Sequence, residues 1–586
     1  MATGERAEGG RWIIAPAQPS QVLTPERLSD EHRLIARTVR AFLAKEVAPL
    51  DARLEEKDLP LMRGVLAGLG ALGVFAAEVP PEYGGLGPDP VTGVLLAETI
   101  SRGSVSSSVG AHVTIGMLPI VFFGVRAQRT RYLPRMVTGE WIGAYALTEA
   151  TAGSDALSLR TAAVRDPDGS YRLTGSKQFI TNGGIADVYV LYAKVEGKLT
   201  CFIVDRATPG FTVGPEEHKL GLRGSSTTSL FLDNVRVPRE NVIGEPGRGH
   251  VVALNILNVG RLKLGAGCVG AAKRALRDAV AYARERRQFG RPIASFGLIR
   301  QKVARMAIRL YLAESMVYRT AGLLDRALGG IDLTGDRGGA EAARALEEYA
   351  PECAINKVFG SEMLDFVVDE MVQIYGGYGF IEDYPAARAY RDARINRLYE
   401  GTNEINRLVI AGQVLRRAAR GRLPLLDAAK SAAEGLGRAG GGSDAPASDR
   451  LARARTATLA CLGRAVDRLG PDLEEHQEVL AALSDQMIEL FAAESGVLRA
   501  ELDAGSGGGG LMADLALAAV GEVAGRLRPL AFEVLTAVED GPQLARDLAG
   551  IGGLLEDTSS NTPALRRSIA ERVLEAGGYP LGLPVA

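Results

Sequence analysis

The 586-residue chain lacks most of the features that would commit it to metal, disulfide or nucleic-acid chemistry. Its four cysteines, Cys201, Cys268, Cys353 and Cys461, are widely spaced, with no Cys-x-x-Cys pair and no nearby histidine at ligand spacing. This predicts reduced core thiols and no metal site. Charge of one sign is lacking too: 68 Lys and Arg against 70 Asp and Glu leave a formal net charge of -2, too weak a field to hold nucleic acid. No run approaches the ~20 apolar residues of a spanning helix. The polar start, Met1 to Gly10, leads to Pro16 and Pro19 without a signal-peptide core, so the expectation is a soluble, cytoplasmic chain. No Gly-x-Gly-x-x-Gly turn joins a strand to a helix and no Gly-x-x-x-x-Gly-Lys-Ser loop exists, so nicotinamide and ATP chemistries lose their usual support.

What is present is an ordinary globular composition, 46% hydrophobic and 24% charged, long enough for about three or four domains or subdomains. Residues 24–140 read as helices: Thr24-Pro25-Glu26 predicts an N-cap with proline at N1, and Leu34, Val39, Phe42, Leu43 and Val47 recur near helical spacing. Over 141–249 short β-former runs, Val188 to Tyr192 and Cys201 to Val204 among them, alternate with turn residues, which predicts an antiparallel sheet or small barrel. Residues 250–420 return to long helical segments, interrupted near Gly329 to Gly339, and predict a helix bundle. Residues 421–450, with Gly440 to Pro446, read as a flexible linker. A helical extension fills 451–586, where Leu480, Leu483, Met487, Leu490, Phe491 and Leu498 form a packing stripe. The fold class is therefore α+β, with helical, β and helical domains in order and an extra helical domain at the C-terminal end.

Five runs stand out. Tyr145 to Asp155 brings hydroxyls and small residues to the start of the β region, and Phe179-Ile180-Thr181-Asn182-Gly183-Gly184 ends in a turn signal; each alone is more often a surface turn. Arg284 to Gly290 joins cations to an aromatic, a pairing suited to a phosphate beside a stacking ring. Gln373 to Phe380 places three glycines in a helical region, at about 1 kcal/mol each relative to alanine, an expense that close approach by something flat explains. Finally, Tyr399-Glu400-Gly401-Thr402 sets a carboxylate before a glycine. Such a group is usually solvated, and becomes a base only where a pocket desolvates it.

In this order and at these spacings the runs resemble the acyl-CoA dehydrogenase family from about Leu28 to Leu415, and the extension more loosely resembles its very-long-chain branch. Ser295 to Ile299 and Asn255 to Arg261 carry the same likeness. The resemblance implies FAD as cofactor and acyl-CoA as substrate. Tyr145, Leu147, Thr148 and Ser154 would line the flavin, Phe179 and Thr181 would pack behind it, and Thr402 and Glu404 would lie along it. Arg286, Gln288, Phe289, Gln373 and Gly377 would hold the pyrophosphate and adenosine half of an FAD bound mainly to the neighbouring subunit. Gly110, Asn258, Arg261 and Gly401 would face the substrate. Two departures bear on the flavin wall: Ala150 stands where the family usually has proline, and Phe179 where tryptophan is common.

The resemblance further implies that Glu400 removes the α-proton while the β-hydrogen leaves as hydride, the thioester carbonyl being polarised by a ribityl hydroxyl and the backbone N–H of the base. Some family members place the base just before the arginine matching Arg261; here that position is Gly260, which leaves Glu400 as the candidate. The small residues Ser106-Ser107-Ser108-Val109-Gly110 would lie near the closed end of the acyl channel and favour long chains, although they serve helix packing equally well. Partners implied are electron-transfer flavoprotein and a second copy in a homodimer, the extension packing where tetrameric relatives place a second dimer. The extension touches a membrane in the resembled branch. Here Leu423 to Arg438, with Leu425, Leu426, Leu436 and Lys430, is weakly amphipathic, an expectation of at most peripheral contact. Rival readings are an acyl-CoA oxidase, a scaffold with vestigial catalysis, and a flavin binder without acyl-CoA turnover.

Overall fold

The computed structural model describes residues 8–335, 337–436, 446–504, 510–556 and 562–584. Its first unit is helical. Helix α1 (Asp30–Phe42) starts at Ser29, whose hydroxyl accepts from the His32 N–H while the His32 ring accepts from the Ser29 N–H. The proline signal at Thr24-Pro25 begins only a single 3₁₀ turn, Pro25–Arg27, so the helix starts one cap later than its sequence predicts. Helices α2 (Leu59–Ala71) and α3 (Pro90–Thr99) are capped by Asp58 and Asp89, each accepting from a backbone N–H of the first turn, with proline in that turn where no N–H is needed. Helix α4 (Gly103–Phe123) is wound as a π-helix between Ala111 and Met117, and α5 (Arg126–Val137) closes the unit.

The middle unit is a sheet of β1 (Gly143–Ala146), β2 (Ala162–Arg165), β3 (Tyr171–Thr181), β4 (Val188–Val195), β5 (Lys198–Asp205), β6 (Phe211–Glu216), β7 (Thr227–Val237) and β8 (Val242–Ile243). Its order is β6-β7-β3-β2-β4-β5-β8, with β1 paired to β4. Most pairs are antiparallel, as the alternating pattern predicts. Two are parallel, β1 with β4 from Gly143 opposite Val188, and β2 with β4 at Ala162 opposite Lys194. The sheet carries its own core, including Leu173, Leu191, Phe202 and Leu230.

The bundle follows: α6 (Gly249–Glu285), α7 (Gly297–Leu328), α8 (Gly338–Glu348), α9 (Ala350–Tyr375), α10 (Pro385–Ala393) and α11 (Asn403–Ala419). Helices α6 and α9 lie close because Gly265 faces Gly360; a Cβ on Gly360 would sit 3.0 Å from the Gly265 Cα. Among the described residues two helices, α4 and α6, are long and apolar enough to cross a membrane, contrary to the sequence expectation, but both are mostly buried within the protein. Their apolar faces are spent on the core.

Residues 421–450 are not a plain linker. They contain helix α12 (Leu425–Gly435), which packs on α13 (Ala447–Leu469). The glycine run from Gly440 lies outside the described residues. Leu423, Leu425 and Leu436 are buried, while Leu426 and Lys430 are exposed.

Helices α14 (Gln477–Ala504), α15 (Leu511–Val538), α16 (Gly541–Leu554) and α17 (Thr562–Ala576) complete the extension. The six-residue stripe on α14 is buried as its spacing predicts. One apolar core runs from Trp12 through the helical units to Leu583. Buried ion pairs stitch the extension to the bundle: Arg319 to Glu494 at 2.7 Å and Arg499 to Glu314 at 2.7 Å. The end of the chain joins the same network, with the Tyr579 hydroxyl donating to Glu314 at 2.9 Å and the Lys273 ammonium to the Leu583 carbonyl at 3.1 Å.

Candidate active site

Glu400 occupies the corner between the turn Arg394–Arg397 and helix α11. The corner is made by two successive left-handed residues, Glu400 at φ 56° and Gly401 at φ 79°. Glycine adopts this freely; for glutamate it costs on the order of 1–2 kcal/mol. Surrounding donors hold it. Asn406 Nδ2 donates to the carbonyls of Gly401 (2.8 Å) and Thr402 (3.0 Å), Arg261 Nε to that of Glu400 (3.2 Å), and Lys357 Nζ to that of Gly401 (2.7 Å). Thr402 then caps α11, its hydroxyl accepting from the Ile405 N–H.

This corner aims the Glu400 side chain at helix α6. A Cβ built on Gly260 would come 2.6 Å from Glu400 Oε2, so any larger residue there would push the carboxylate out of this position. Oε2 is buried and has no hydrogen-bond partner. Burial raises the Glu400 pKa to about 7, against the opposing charges of Arg261 and Lys357. The Glu400 N–H also finds no acceptor among the described residues.

Glu400 opens into a cavity of about 650 Å³, within the range of small-molecule sites. Its wall on α6 is a stripe at helical spacing, Gly260, Leu264, Gly267, Ala271 and Arg274, and small residues Gly103, Ser107 and Gly110 of α4 face it. Thr181, at the end of β3, also lines it. Asn258, Arg261 and Gly401 do not. Asn258 accepts from Arg261 at 2.9 Å, and both back the Glu400 corner from behind.

The sheet brings together the first two sequence runs. The Gln178 N–H donates to the Thr148 carbonyl at 2.9 Å, joining the segment after β1 to β3 where its register with β7 slips between Lys177 and Ile180. Tyr145 and Leu147 are buried, and Thr148 is half-buried. Tyr145 stacks edge-on against Tyr192 at 5.1 Å, and Glu400 contributes to its raised pKa, of which burial is the main cause. Phe179 is held at φ 59° and is 58% exposed. Ser154 and Glu404 are exposed, and neither lines the cavity.

Arg286, Gln288, Phe289, Gln373 and Gly377 form a separate outer surface. Phe289 is 92% exposed, and Arg286 lies 5.6 Å from the Tyr378 ring. The glycines here do not interrupt a helix, as their sequence suggested. Helix α9 ends at Tyr375, Gly376 turns left-handed at φ 61°, and Gly379 is required because a Cβ would meet the Val372 carbonyl at 2.4 Å. A Cβ on Gly377 meets nothing, so it faces open space.

Family models agree with this layout. The N-terminal domain of acyl-CoA dehydrogenases matches residues 29–140, the middle domain 144–235 and the C-terminal domain 247–415, and a further acyl-CoA dehydrogenase C-terminal domain matches 453–551. The chain belongs to the acyl-CoA dehydrogenase family. A probable acyl-CoA dehydrogenase of Bacillus subtilis is 44% identical over 583 residues, covering 98% of both chains. The human mitochondrial very long-chain specific acyl-CoA dehydrogenase is 40% identical over 64% of this chain and 57% of its own length. The solved Bacillus anthracis acyl-CoA dehydrogenase complexed with FAD superposes with TM-score 0.95 at 43% identity, covering 98% of this chain and 100% of that one. Butyryl-CoA dehydrogenase of Megasphaera elsdenii superposes with TM-score 0.60 at 36% identity, over 67% of this chain and 99% of that one.

Two groups in this acyl-CoA dehydrogenase escaped the sequence reading. Lys357 is buried, donates to the Gly401 carbonyl and to Asn403 Oδ1 (2.6 Å), and has its pKa lowered to about 8 by burial. A lysine inside the apolar run from Cys353 to Phe359 was the available signal. The second is the buried pair Lys177 to Glu149 at 2.8 Å. Glu149 also accepts from the N–H groups of Arg160 (2.6 Å) and Thr161 (3.0 Å), which fixes the loop after Thr148. Lys177 shares inward parity with Tyr171 and Leu173 on β3, an alternation that marks a cation needing a buried partner.

Proposed function

We propose that the protein binds FAD and oxidises acyl-CoA thioesters between Cα and Cβ, with Glu400 as the base that takes the α-proton. The observation that carries this reading is the buried, unpartnered Glu400 carboxylate against Gly260 at the head of the cavity. A pKa near 7 matches a base to neutral conditions. Arg261 and Lys357 keep the carboxylate from rising further and staying protonated. The free N–H of Glu400 is available to a thioester carbonyl, whose polarisation acidifies the α C–H.

The residues present fit a flavin: Phe179, two residues before the cavity-lining Thr181, offers an exposed ring, and the outer surface offers Phe289, Tyr378 and Arg286. When bound, FAD supplies the acceptor for the β-hydride. Tyr145, Leu147, Thr148, Ser154, Phe179 and Thr181 would hold its ring end, with Thr402 and Glu404 alongside. Arg286, Gln288, Phe289, Gln373 and Gly377 would hold the adenosine half of a partner's cofactor. That division makes the working unit a homodimer, which the exposed Phe289, Phe380 and Leu298 support. Gly110, Asn258, Arg261 and Gly401 would border or brace the acyl thioester.

The length of the cavity favours long acyl chains, since its α6 wall from Gly260 to Arg274 spans nearly four turns, roughly 21 Å. On this reading the protein acts in the cytoplasm in fatty acid β-oxidation and passes electrons to an electron-transfer flavoprotein. Anaerobic titration with hexadecanoyl-CoA tests the proposal. The wild type should bleach its flavin, and Glu400→Gln should keep bound flavin but lose more than a thousandfold in turnover; near-normal turnover in that variant would sink the assignment.

A further inference from the structure

The cavity changes character along its length. Near Glu400 its wall is apolar or small apart from Lys263, whose charge is already taken by Glu78, whereas the far end is lined by Arg102, Arg274, Arg277, Asp278, Arg388 and Asp392. Most of these charges are already satisfied. Arg102 forks onto Asp51 with contacts of 3.1 and 2.6 Å, Arg277 pairs with Asp278 at 3.1 Å, and Arg388 pairs with Glu55 at 3.3 Å and Asp392 at 3.5 Å. Asp383 sits exposed on the outer rim. Arg274 differs: it is half-buried, faces the cavity, and makes no ion pair or hydrogen bond with any described residue.

A half-buried guanidinium without a partner gives up hydration and gains nothing in return. Burial and the neighbouring Arg102 pull its pKa down to about 10, with Asp278 and Asp51 opposing. The shift comes first from burial, and the charges around Arg274 are mixed, Arg102 and Arg277 facing Asp51 and Asp278. Arg274 stands roughly 21 Å beyond Gly260 along α6. An extended hydrocarbon rises roughly 1.25 Å per carbon, given its ~1.52 Å bonds, so a chain of roughly sixteen carbons would bring its last atom there.

We propose that Arg274 receives an anionic ω-end, so that the protein takes long-chain acyl-CoA thioesters carrying a terminal carboxylate as well as plain ones. A carboxylate fits the planar guanidinium in a two-pronged, charge-assisted pair, which a methyl end cannot form. The inference rests on the acyl-CoA dehydrogenase reading and adds the substrate class that the distal end selects. A short ω-carboxylate would instead be stranded against the small and apolar wall, where a charge is costly.

The test compares kcat/KM of the holoenzyme for hexadecanoyl-CoA and for the monothioester of hexadecanedioic acid, with the eight-carbon pair as control. In the wild type the dicarboxylate-to-monocarboxylate ratio should be near or above one at sixteen carbons and far below one at eight. Arg274→Met should lower the sixteen-carbon ratio about tenfold or more, the size of a lost charge-assisted hydrogen bond, mainly through KM, and Arg274→Lys should restore part of it. The proposal is overturned if the wild type oxidises hexadecanoyl-CoA but not the sixteen-carbon dicarboxylate, or if Arg274→Met leaves the ratio unchanged. Failure of every plain acyl-CoA to bleach the flavin would instead overturn the dehydrogenase reading on which the inference stands.

Discussion

The Glu400 carboxylate fills the space that a side chain at Gly260 would need, with Oε2 2.6 Å from the position of a Gly260 Cβ. Gly260→Ala is therefore expected to displace the base rather than unfold the helix. Alanine gains about 1 kcal/mol of helix preference over glycine, which offsets part of the clash. The expected outcome is a fall in kcat of about a hundredfold with a Tm within a few degrees of wild type. Steady-state kinetics beside thermal unfolding check it.

The pH dependence follows from the same burial. Glu400 must be ionised to accept a proton, and its pKa is raised from 4.5 to about 7. The free enzyme's kcat/KM should fall tenfold per unit below about pH 7, and Glu400→Gln should lack that limb. For stability the sign is the reverse of an ordinary salt-bridged acid. The folded state holds this proton more tightly than the unfolded chain, so the contribution is fully present below 4.5 and is lost as pH rises through about 7. Urea midpoints of wild type and Glu400→Gln across that window should converge at its acid end.

Lys357 acts on Glu400 in two ways, through the Gly401 carbonyl that it holds and through its charge. Lys357→Met removes a cation that lowers the Glu400 pKa, so the acid limb of kcat/KM should move to higher pH. The freed Gly401 corner should lower kcat as well. Lys357→Arg should bring the limb part of the way back. A fall in kcat with an unmoved limb would reduce Lys357 to a packing role.

Much of the chain was legible in its sequence, and what was not has a common cause. The existence of α1, β4 and β5 and the α14 stripe follow from local sequence pattern, because side chains four residues apart on a helix or two apart on a strand share a face, but the ends of α1, β4 and β5 do not. The link between Glu400 and Gly260 came only from the family resemblance, which puts the alternative base at the position of Gly260. The left-handed corner at Glu400 had no local trace, since it is held by Lys357 and Arg261 from other helices. Gly376 and Gly379 were misread as helix interior because a C-cap and a kink spend glycine alike. Arg274 carried no signal, for an arginine on an amphipathic helix is normally solvated.

Tyr579→Phe should destabilise the protein by about 1–3 kcal/mol, the value of a hydrogen bond to a charged group, because it leaves buried Glu314 with one donor fewer. Equilibrium unfolding in urea checks this, and flavin content should be retained.

A neighbouring contact in the same cluster sets an order on biosynthesis. The Lys273 ammonium donates to a carbonyl 310 residues later, at Leu583. At about 5–20 residues per second, the ribosome needs roughly 15–60 seconds to supply that acceptor. For that interval the nascent bundle carries a polar cluster still lacking its last partners. The segment after α17, which carries Tyr579 and Leu583, thus closes a polar cluster seated on α6 and α7, and a polypeptide stopped before it leaves Lys273 and Glu314 each short of a partner.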